Sequence, residues 1–172
     1  YITFRYFPKG FVLNNASNAV PVDKPESLLA LLQSKLSTII ANILNATTNL
    51  SNGVVARFPL LTISDESLLG IVHQSISTAK QNWDIHETSW NFEGNPLISI
   101  FKENGSTLKQ VLDYFIKKWT HTFFELHENE EELNRKFIEI YGLQNELSSE
   151  VPLDEVTILQ QKEIKIENGQ IK

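Results

Sequence analysis

A long run of apolar residues at helical spacing, in the second half of the chain, most limits how this sequence can fold. Between residues 108 and 126 an apolar residue recurs every three or four positions, and after a charged stretch the pattern continues from Leu133 to Tyr141. This spacing places the apolar side chains on one face of a helix. Gly142 is a favourable residue just past a helix end. The sequence therefore predicts a long amphipathic helix that ends near Gly142, with residues 128–132 (ENEEE) as the place where it breaks or kinks. Its predicted buried stripe comprises Leu108, Val111, Leu112, Phe115, Trp119, Phe123 and Leu126.

Two shorter helices are predicted ahead of this one. The first begins near Pro25, a good first-turn residue, and its apolar positions continue to about residue 44. The second begins at Ser64, a suitable N-cap, and continues to about Trp83. Ser106 is the predicted cap of the long helix.

The remaining segments are predicted to be extended or polar. Residues 1–13 are rich in aromatic and β-branched residues around a Pro-Lys-Gly turn, which is typical of two short strands. Residues 54–63 predict an edge strand that contains Pro59, and residues 156–159 a strand-like piece in the tail. The predicted fold class is therefore α+β and mostly α-helical. A small β/α front segment (1–63) is followed by long helices and an extended tail (64–172).

Charge is distributed unevenly along the chain. The formal net charge is −6, yet residues 1–63 carry five cationic and two acidic side chains, so the remainder sums to −9. Only the front segment is therefore expected to face a phosphate backbone. The candidates for DNA contacts are Arg5, Lys9, Lys35 and Arg57, with Asn45 and Asn49 as candidates for hydrogen bonds to base edges. Solvated surface cations and loop asparagines that bond their own backbone are the alternative interpretation.

Three aromatic residues, Trp83, Trp90 and Phe92, follow the second predicted helix. They could stack on a nucleotide, as aromatic side chains do in single-strand binders. Packing in a hydrophobic core is the alternative.

Several kinds of catalytic chemistry have no matching motif in the sequence. There is no cysteine, no Gly-x-Gly pair for a phosphate cradle, no Gly-x-Ser-x-Gly elbow and no adjacent pair of prolines. His121 and His127 stand six residues apart, which on a helix disfavours a shared metal. We therefore expect no catalytic residue, no cofactor and no metal within this chain. No apolar run approaches the ~20 residues of a membrane span, and the lack of methionine suggests a segment or processed product of a larger protein.

Two blocks of sequence resemble a known family. Residues 82–92 (NWDIHETSWNF) with the following Asn95-Pro96-Leu97, and residues 128–147 (ENEEELNRKFIEIYGLQNEL), resemble the C-terminal half of large adenine-specific DNA methyltransferases of the BREX phage-defence type (PglX-like). These enzymes are related to fused restriction-modification enzymes that carry methylase and specificity parts on one chain. The front, with residues 28–36 (LLALLQSKL) and Phe58-Pro59-Leu60, is similar to the close of a target-recognition domain.

This resemblance implies a function for the parent protein and for this part of it. The parent would be a bacterial, cytoplasmic enzyme that acts on double-stranded DNA. Its catalytic motif would lie outside this chain, and S-adenosylmethionine would bind there too. Residues 1–63 would end a target-recognition region and residues 64–172 would form a helical spacer. The alternative is a protein-interaction module that docks other defence-system subunits through its acidic helices.

Overall fold

The computed structural model describes residues 4–7, 10–12, 19–45, 50–61, 65–104, 107–156, 158, 166–167 and 170–171. Six helices form most of this part of the chain: α1 (Pro25–Gln33), α2 (Lys35–Leu44), α3 (Asn52–Val55), α4 (Glu66–Asp84), α5 (Pro96–Asn104) and α6 (Leu108–Ile140). A 3₁₀ turn follows at Leu153–Glu155. Two short strands near the C-terminus, β1 (Ile166–Glu167) and β2 (Gln170–Ile171), pair antiparallel, with Ile166 opposite Ile171. The expected mostly helical class is confirmed.

The chain forms two compact units, and each unit is built from two separate segments. Unit 1 consists of Tyr1–His73 and Glu131–Glu150, and unit 2 of Gln74–Glu130 and Val151–Lys172. These bounds differ from the predicted division after residue 63, and the roles assigned to the two predicted parts stay predictions.

In unit 1 the predicted helix over residues 25–44 is divided in two at Ser34. The backbone of Ser34 is extended (φ −75°, ψ 155°), and α1 and α2 meet there at an angle of 81°. The hydroxyl of Ser34 donates to the carbonyl of Leu31 (2.7 Å), and the hydroxyl of Ser37 donates to that of Leu32 (2.6 Å). Serine side chains that bond nearby carbonyls compete with the helical backbone pattern, which accounts for the break.

Hydrophobic residues from α1, α2, α3 and the neighbouring loops form a core in unit 1. The buried members are Leu32, Ala41, Val55 and Phe58, and Phe4, Leu28, Ile40, Leu44, Leu50 and Val54 pack against them. We call this set the front cluster.

The strands of the predicted small β/α front segment are not supported, and residues 1–3, 8–9, 13 and 62–63 of those strands lie outside the described residues. No strand occurs among the described residues up to 61, and the predicted strand over 54–63 instead begins within α3 and continues as a turn. Phe58 is buried and Phe4 is partly buried in this helical cluster, and neither joins a sheet. Aromatic residues are common in strands largely because they suit a half-buried surface. Here the same preference for burial is met by packing against helices.

Helix α4 begins with a carboxylate cap. Asp65 accepts hydrogen bonds from the backbone N–H (2.9 Å) and the hydroxyl (2.6 Å) of Ser67, and the ammonium of Lys136 lies 3.3 Å from the same carboxylate. The bonds from Ser67, followed by the contact with Lys136, lower the pKa of Asp65 from 3.8 to about 2. The predicted cap, Ser64, lies outside the described residues.

We expect this cap to contribute to stability at neutral pH and to lose its contribution in acid. Because the pKa of Asp65 is lower in the folded chain than the ordinary 3.8, its contribution is complete above about pH 4 and declines as the pH falls towards 2. The urea concentration at the midpoint of unfolding should therefore decrease less from pH 5 to pH 2 in Asp65→Asn than in the unsubstituted chain. Asp113→Asn, at an exposed carboxylate on α6, should keep the full acid loss; equal losses in all three proteins would contradict the expectation.

The core of unit 2 is formed by one face of α6 and the segment after residue 150. Trp119, Phe123 and Leu126 are buried together with Val156 and Ile158. Ile85, Phe115, Phe124, Val151 and Leu153 are partly buried against them, and the rings of Phe115 and Trp119 lie 6.2 Å apart. The sequence predicts a strand-like piece over residues 156–159, but neither Val156 nor Ile158 lies in a strand, and residues 157 and 159 lie outside the described residues.

The predicted stripe of α6 is confirmed in part. Val111, Trp119, Phe123 and Leu126 are buried, whereas Leu108 is 71% and Leu112 is 44% exposed. The prediction that Leu108 and Leu112 are core residues is therefore wrong. They continue the buried face, but at this end of α6 nothing in the described part of unit 2 covers them.

Helix α6 has well-defined ends and no break. Thr107 and Gln110 form a reciprocal cap, in which the Thr107 N–H donates to the Gln110 side-chain oxygen (2.9 Å). The helix continues through residues 128–132, where a break or kink was expected. Gly142 (φ +70°) ends it as predicted, and the Leu143 N–H donates to the Ile138 carbonyl (2.9 Å).

In the described part of the chain no single helix has the length and apolar character to cross a membrane. Only α1 and α2 taken together meet that criterion, and they are bent at Ser34.

Candidate functional site

Two of the predicted DNA-contacting residues, Arg5 and Arg57, lie beside the front cluster. Arg5 is exposed and its guanidinium donates to the carbonyl of Phe4 (3.1 Å), which also accepts from the side chain of Gln33 (3.2 Å). Arg57 is exposed in the turn after α3 and directly precedes Phe58. Because Phe4 and Phe58 pack in the same cluster, the structure brings both arginines to one part of unit 1. Neither forms an ion pair with another described residue.

Lys35, the third candidate, is held within the protein. Its backbone N–H, at the start of α2, donates to the side-chain oxygen of Asn134 (2.8 Å), and its ammonium donates to the carbonyl of Glu150. The Asn134 amide also donates to the carbonyl of Ser149 (3.3 Å). We call Lys35, Asn134, Ser149 and Glu150 the Asn134 junction. These bonds assign Lys35 a structural role in unit 1, and its predicted contact with DNA stays a prediction.

Sequence reasoning missed Asn134 altogether. It is only 5% exposed and stands between the buried Leu133 and Phe137 of α6. Its position beside Leu133, Phe137 and Ile138 on α6 is the sequence signal that could have indicated it, since a polar group buried among apolar residues needs hydrogen-bond partners.

Of the two asparagine candidates, one is described. Asn45 is half-buried and follows α2, where its N–H donates to the carbonyl of Ala41 (2.9 Å). Asn49, like Lys9, lies outside the described residues. The proposed base contacts of both asparagines stay predictions.

A second candidate site is the turn that follows α4 in unit 2. The carboxylate of Asp84 accepts from the ammonium of Lys80 and from the hydroxyl of Ser89 (2.7 Å), and these two bonds lower its pKa. The hydroxyl of Ser89, which is buried, accepts in turn from the N–H of Asn91 (3.1 Å). The N–H at Nδ1 of His86 donates to the Asn82 carbonyl (2.8 Å). These bonds fix the conformation of residues 82–91, one of the two blocks that carry the family resemblance.

The last turn of α4 and the turn that follows it each expose one tryptophan to solvent. Trp90 is 95% and Trp83 is 58% exposed, while Phe92 is half-buried. The neighbouring side chains of Glu87 and Glu93 are exposed and acidic, which disfavours a polyanionic partner here. The stacking role proposed for these aromatics from the sequence stays a prediction.

The histidines of α6 bind protein groups individually. His121 lies 3.9 Å from the carboxylate of Glu125, and His127 is 2.7 Å from the carbonyl of Val151. Over the described ranges, no three His, Cys, Asp or Glu side chains are grouped so that they could hold a metal ion.

Comparisons with known proteins identify two relatives. The chain is 31% identical, over 90% of its length, to the adenine-specific methyltransferase PglX of Lacticaseibacillus casei (strain Zhang). It is 33% identical, over 56% of its length, to the adenine-specific methyltransferase BrxX of Escherichia coli O9:H4 (strain HS). The chain spans only 13% of the length of the first relative and 8% of the second. No protein-family model and no solved structure matches it.

Proposed function

We propose that this chain, which is similar to a segment of BREX-type adenine-specific methyltransferases as its sequence blocks predicted, contributes DNA recognition and helical scaffolding to such an enzyme. Methyl transfer and the binding of S-adenosylmethionine would belong to other parts of the parent protein. The observation that carries the DNA-binding part of this proposal is that Arg5 and Arg57 are both exposed beside one cluster of unit 1, where neither forms an ion pair with another described residue.

The chemistry of arginine suits this role. A guanidinium group is always charged and can donate two parallel hydrogen bonds to a phosphate. Contacts of this kind position a protein on the duplex, whereas sequence is recognised by contacts to base edges. The Asn134 junction and the long α6 supply the scaffold in this proposal, because they join helices of unit 1 that are distant in sequence.

The test is the salt dependence of DNA binding by the chain. We expect Arg5→Ala/Arg57→Ala to lower the slope of log affinity against log salt concentration by roughly 1.8, since each lost phosphate contact removes about 0.9. Fluorescence anisotropy with a labelled duplex at several salt concentrations measures this slope. The matched variant Arg5→Lys/Arg57→Lys keeps both charges and should keep the slope; an unchanged slope in the alanine variant would exclude these contacts.

A specific observation favours the alternative, a module that docks other protein subunits. The last two thirds of α6 (residues 119–140) carry six carboxylates and two cations, and Trp90 is exposed beside two further glutamates. A partner with a basic and apolar surface would complement these features. If Glu130→Lys/Glu131→Lys abolished assembly with such a partner while the arginine variant left DNA binding unchanged, the docking function would replace the one proposed above.

A further inference from the structure

An exposed row of apolar side chains lies at the start of α6, in the part of the helix that belongs to unit 2. Leu108, Leu112 and Ile116 are 71%, 44% and 49% exposed, respectively. They stand four residues apart and extend over about 12 Å of the helix. A row with this spacing is one of the ridges by which helices pack into each other's grooves. We call these three residues the α6 ridge.

Two opposite charges border the α6 ridge on one side. Successive residues of an α-helix are rotated by about 100°, so Lys109 and Asp113 lie about 20° and 60° beyond Ile116 around the helix. Both side chains are exposed, and neither forms an ion pair within the described ranges of the chain. A lysine followed four residues later by an acidic residue is also the less favourable order for an ion pair within one helix. This edge therefore presents a cation and an anion that no described residue neutralises.

The opposite edge of the α6 ridge belongs to the core of unit 2. Phe115 and Val111 lie about 20° and 60° from Leu108 on that side. Val111 is buried, and Phe115 is partly buried against Trp119. A molecule that packs on the ridge therefore approaches from the side of Lys109 and Asp113.

A second copy of the chain matches this arrangement when the two α6 helices run antiparallel. A two-fold axis presents the same surface of both copies to each other. With the axis near Leu112, Leu108 of one copy meets Ile116 of the other, and the charged edges face each other. Lys109 of one copy and Asp113 of the other then differ by only about 3 Å in position along the helix axis. The flexible lysine side chain spans this offset, so two equivalent ion pairs close the contact.

A parallel pairing lacks this complementarity. When parallel helices are related by a two-fold axis, the charged edge of one copy faces the opposite edge of the other. That edge carries Val111 and Phe115, which the core of unit 2 already engages. Flanking charges of this kind are a common determinant of helix orientation, and here they favour the antiparallel one.

We propose that the α6 ridge, with Lys109 and Asp113, is the interface of a homodimer in which two α6 helices pack antiparallel. The occupant is a second copy because the charge pattern of this edge is its own complement. Three apolar side chains per copy make a contact smaller than most stable interfaces, so the dimer is transient and forms at high chain concentration. The pairing is independent of the DNA contacts proposed for unit 1.

Sedimentation equilibrium of the 172-residue chain tests the association, with concentrations up to about 1 mM so that weak dimers are detected. We expect the unsubstituted chain to dimerise and Leu112→Glu to stay monomeric, because this change places two carboxylates together at the symmetry axis. Tyr114→Glu is the matched control and should dimerise normally. Tyr114 is 55% exposed but lies about 160° from Leu112 around the helix. Because both side chains are exposed, the variants should melt at similar temperatures.

Charge reversal tests the orientation of the two helices. Lys109→Glu and Asp113→Lys should each weaken association by roughly 2- to 30-fold, the range expected for the loss of two exposed ion pairs. An equimolar mixture of these two single variants should recover the affinity, because each copy then supplies the charges that the other requires. The double variant Lys109→Glu/Asp113→Lys should recover it as well.

Each outcome decides the inference. A chain that is monomeric at every concentration overturns it and leaves the ridge to another protein or to another part of a longer chain. A dimer that Leu112→Glu leaves intact also overturns it. If the mixture of single variants fails to recover the affinity, the antiparallel pairing is wrong. Should Leu112→Glu melt at a lower temperature than the unsubstituted chain, the charge variants decide alone.

Discussion

Replacing Leu126 with alanine should lower the free energy of unfolding by about 2–5 kcal/mol, the usual range for removing a leucine side chain from a core. Leu126 is only 3% exposed and packs with Trp119 and Phe123 in the core of unit 2. The cost combines the lost burial of the side chain with the cavity that remains. Urea unfolding followed by tryptophan fluorescence measures it, because Trp83, Trp90 and Trp119 all lie in unit 2.

The same helix offers a matched control. Leu108→Ala makes the identical chemical change on the same face of α6, but the side chain of Leu108 is 71% exposed. We expect this variant to change stability by less than about 0.5 kcal/mol. If the two variants were destabilised equally, Leu108 would be covered in solution and the boundary of the unit 2 core drawn above would be wrong.

The second large effect is expected at the Asn134 junction. Asn134→Ala removes both the acceptor for the Lys35 N–H and the donor to the Ser149 carbonyl. A buried polar group left without its partner costs about 1–3 kcal/mol, so we expect destabilisation of this size. Circular dichroism is the suitable measurement, since unit 1 contains no tryptophan.

Asn145→Ala is the control for this second experiment. Asn145 lies in the same unit, and its side chain is exposed. Its replacement should have little effect on stability. A loss at Asn134 no larger than the loss at Asn145 would show that the junction contributes little to unit 1.

The regular part of the fold could be predicted because its causes are local. Helix α6 follows from the spacing of its apolar residues, and its end follows from the freedom of Gly142 to adopt a positive φ. The break at Ser34 was missed because it interrupts a run whose apolar spacing is correct on both sides. The exposure of Leu108 and Leu112 was missed for a different reason: periodicity shows which face a residue occupies, but not whether anything covers that face.

In the candidate site, too, local features could be predicted from the sequence and long-range contacts could not. The charge of Arg5 and Arg57 is visible in the sequence, and the structure adds that they lie beside one cluster. The hydrogen bond between the Lys35 N–H and the side chain of Asn134 could not be predicted, because the two residues are 99 positions apart in the chain.

The two-segment construction of unit 1 has a consequence for the order in which a ribosome delivers its parts. Tyr1–His73 emerges first, yet the Glu131–Glu150 segment that completes the unit, with Asn134 and Ser149, follows only after the first segment of unit 2. At ~5–20 residues per second, synthesis of residues 74–150 takes about 4–15 s. During this interval the N–H of Lys35 lacks its acceptor Asn134, and the carboxylate of Asp65 lacks the ammonium of Lys136. A chain that ended at His73 would therefore lack the Asn134 junction permanently.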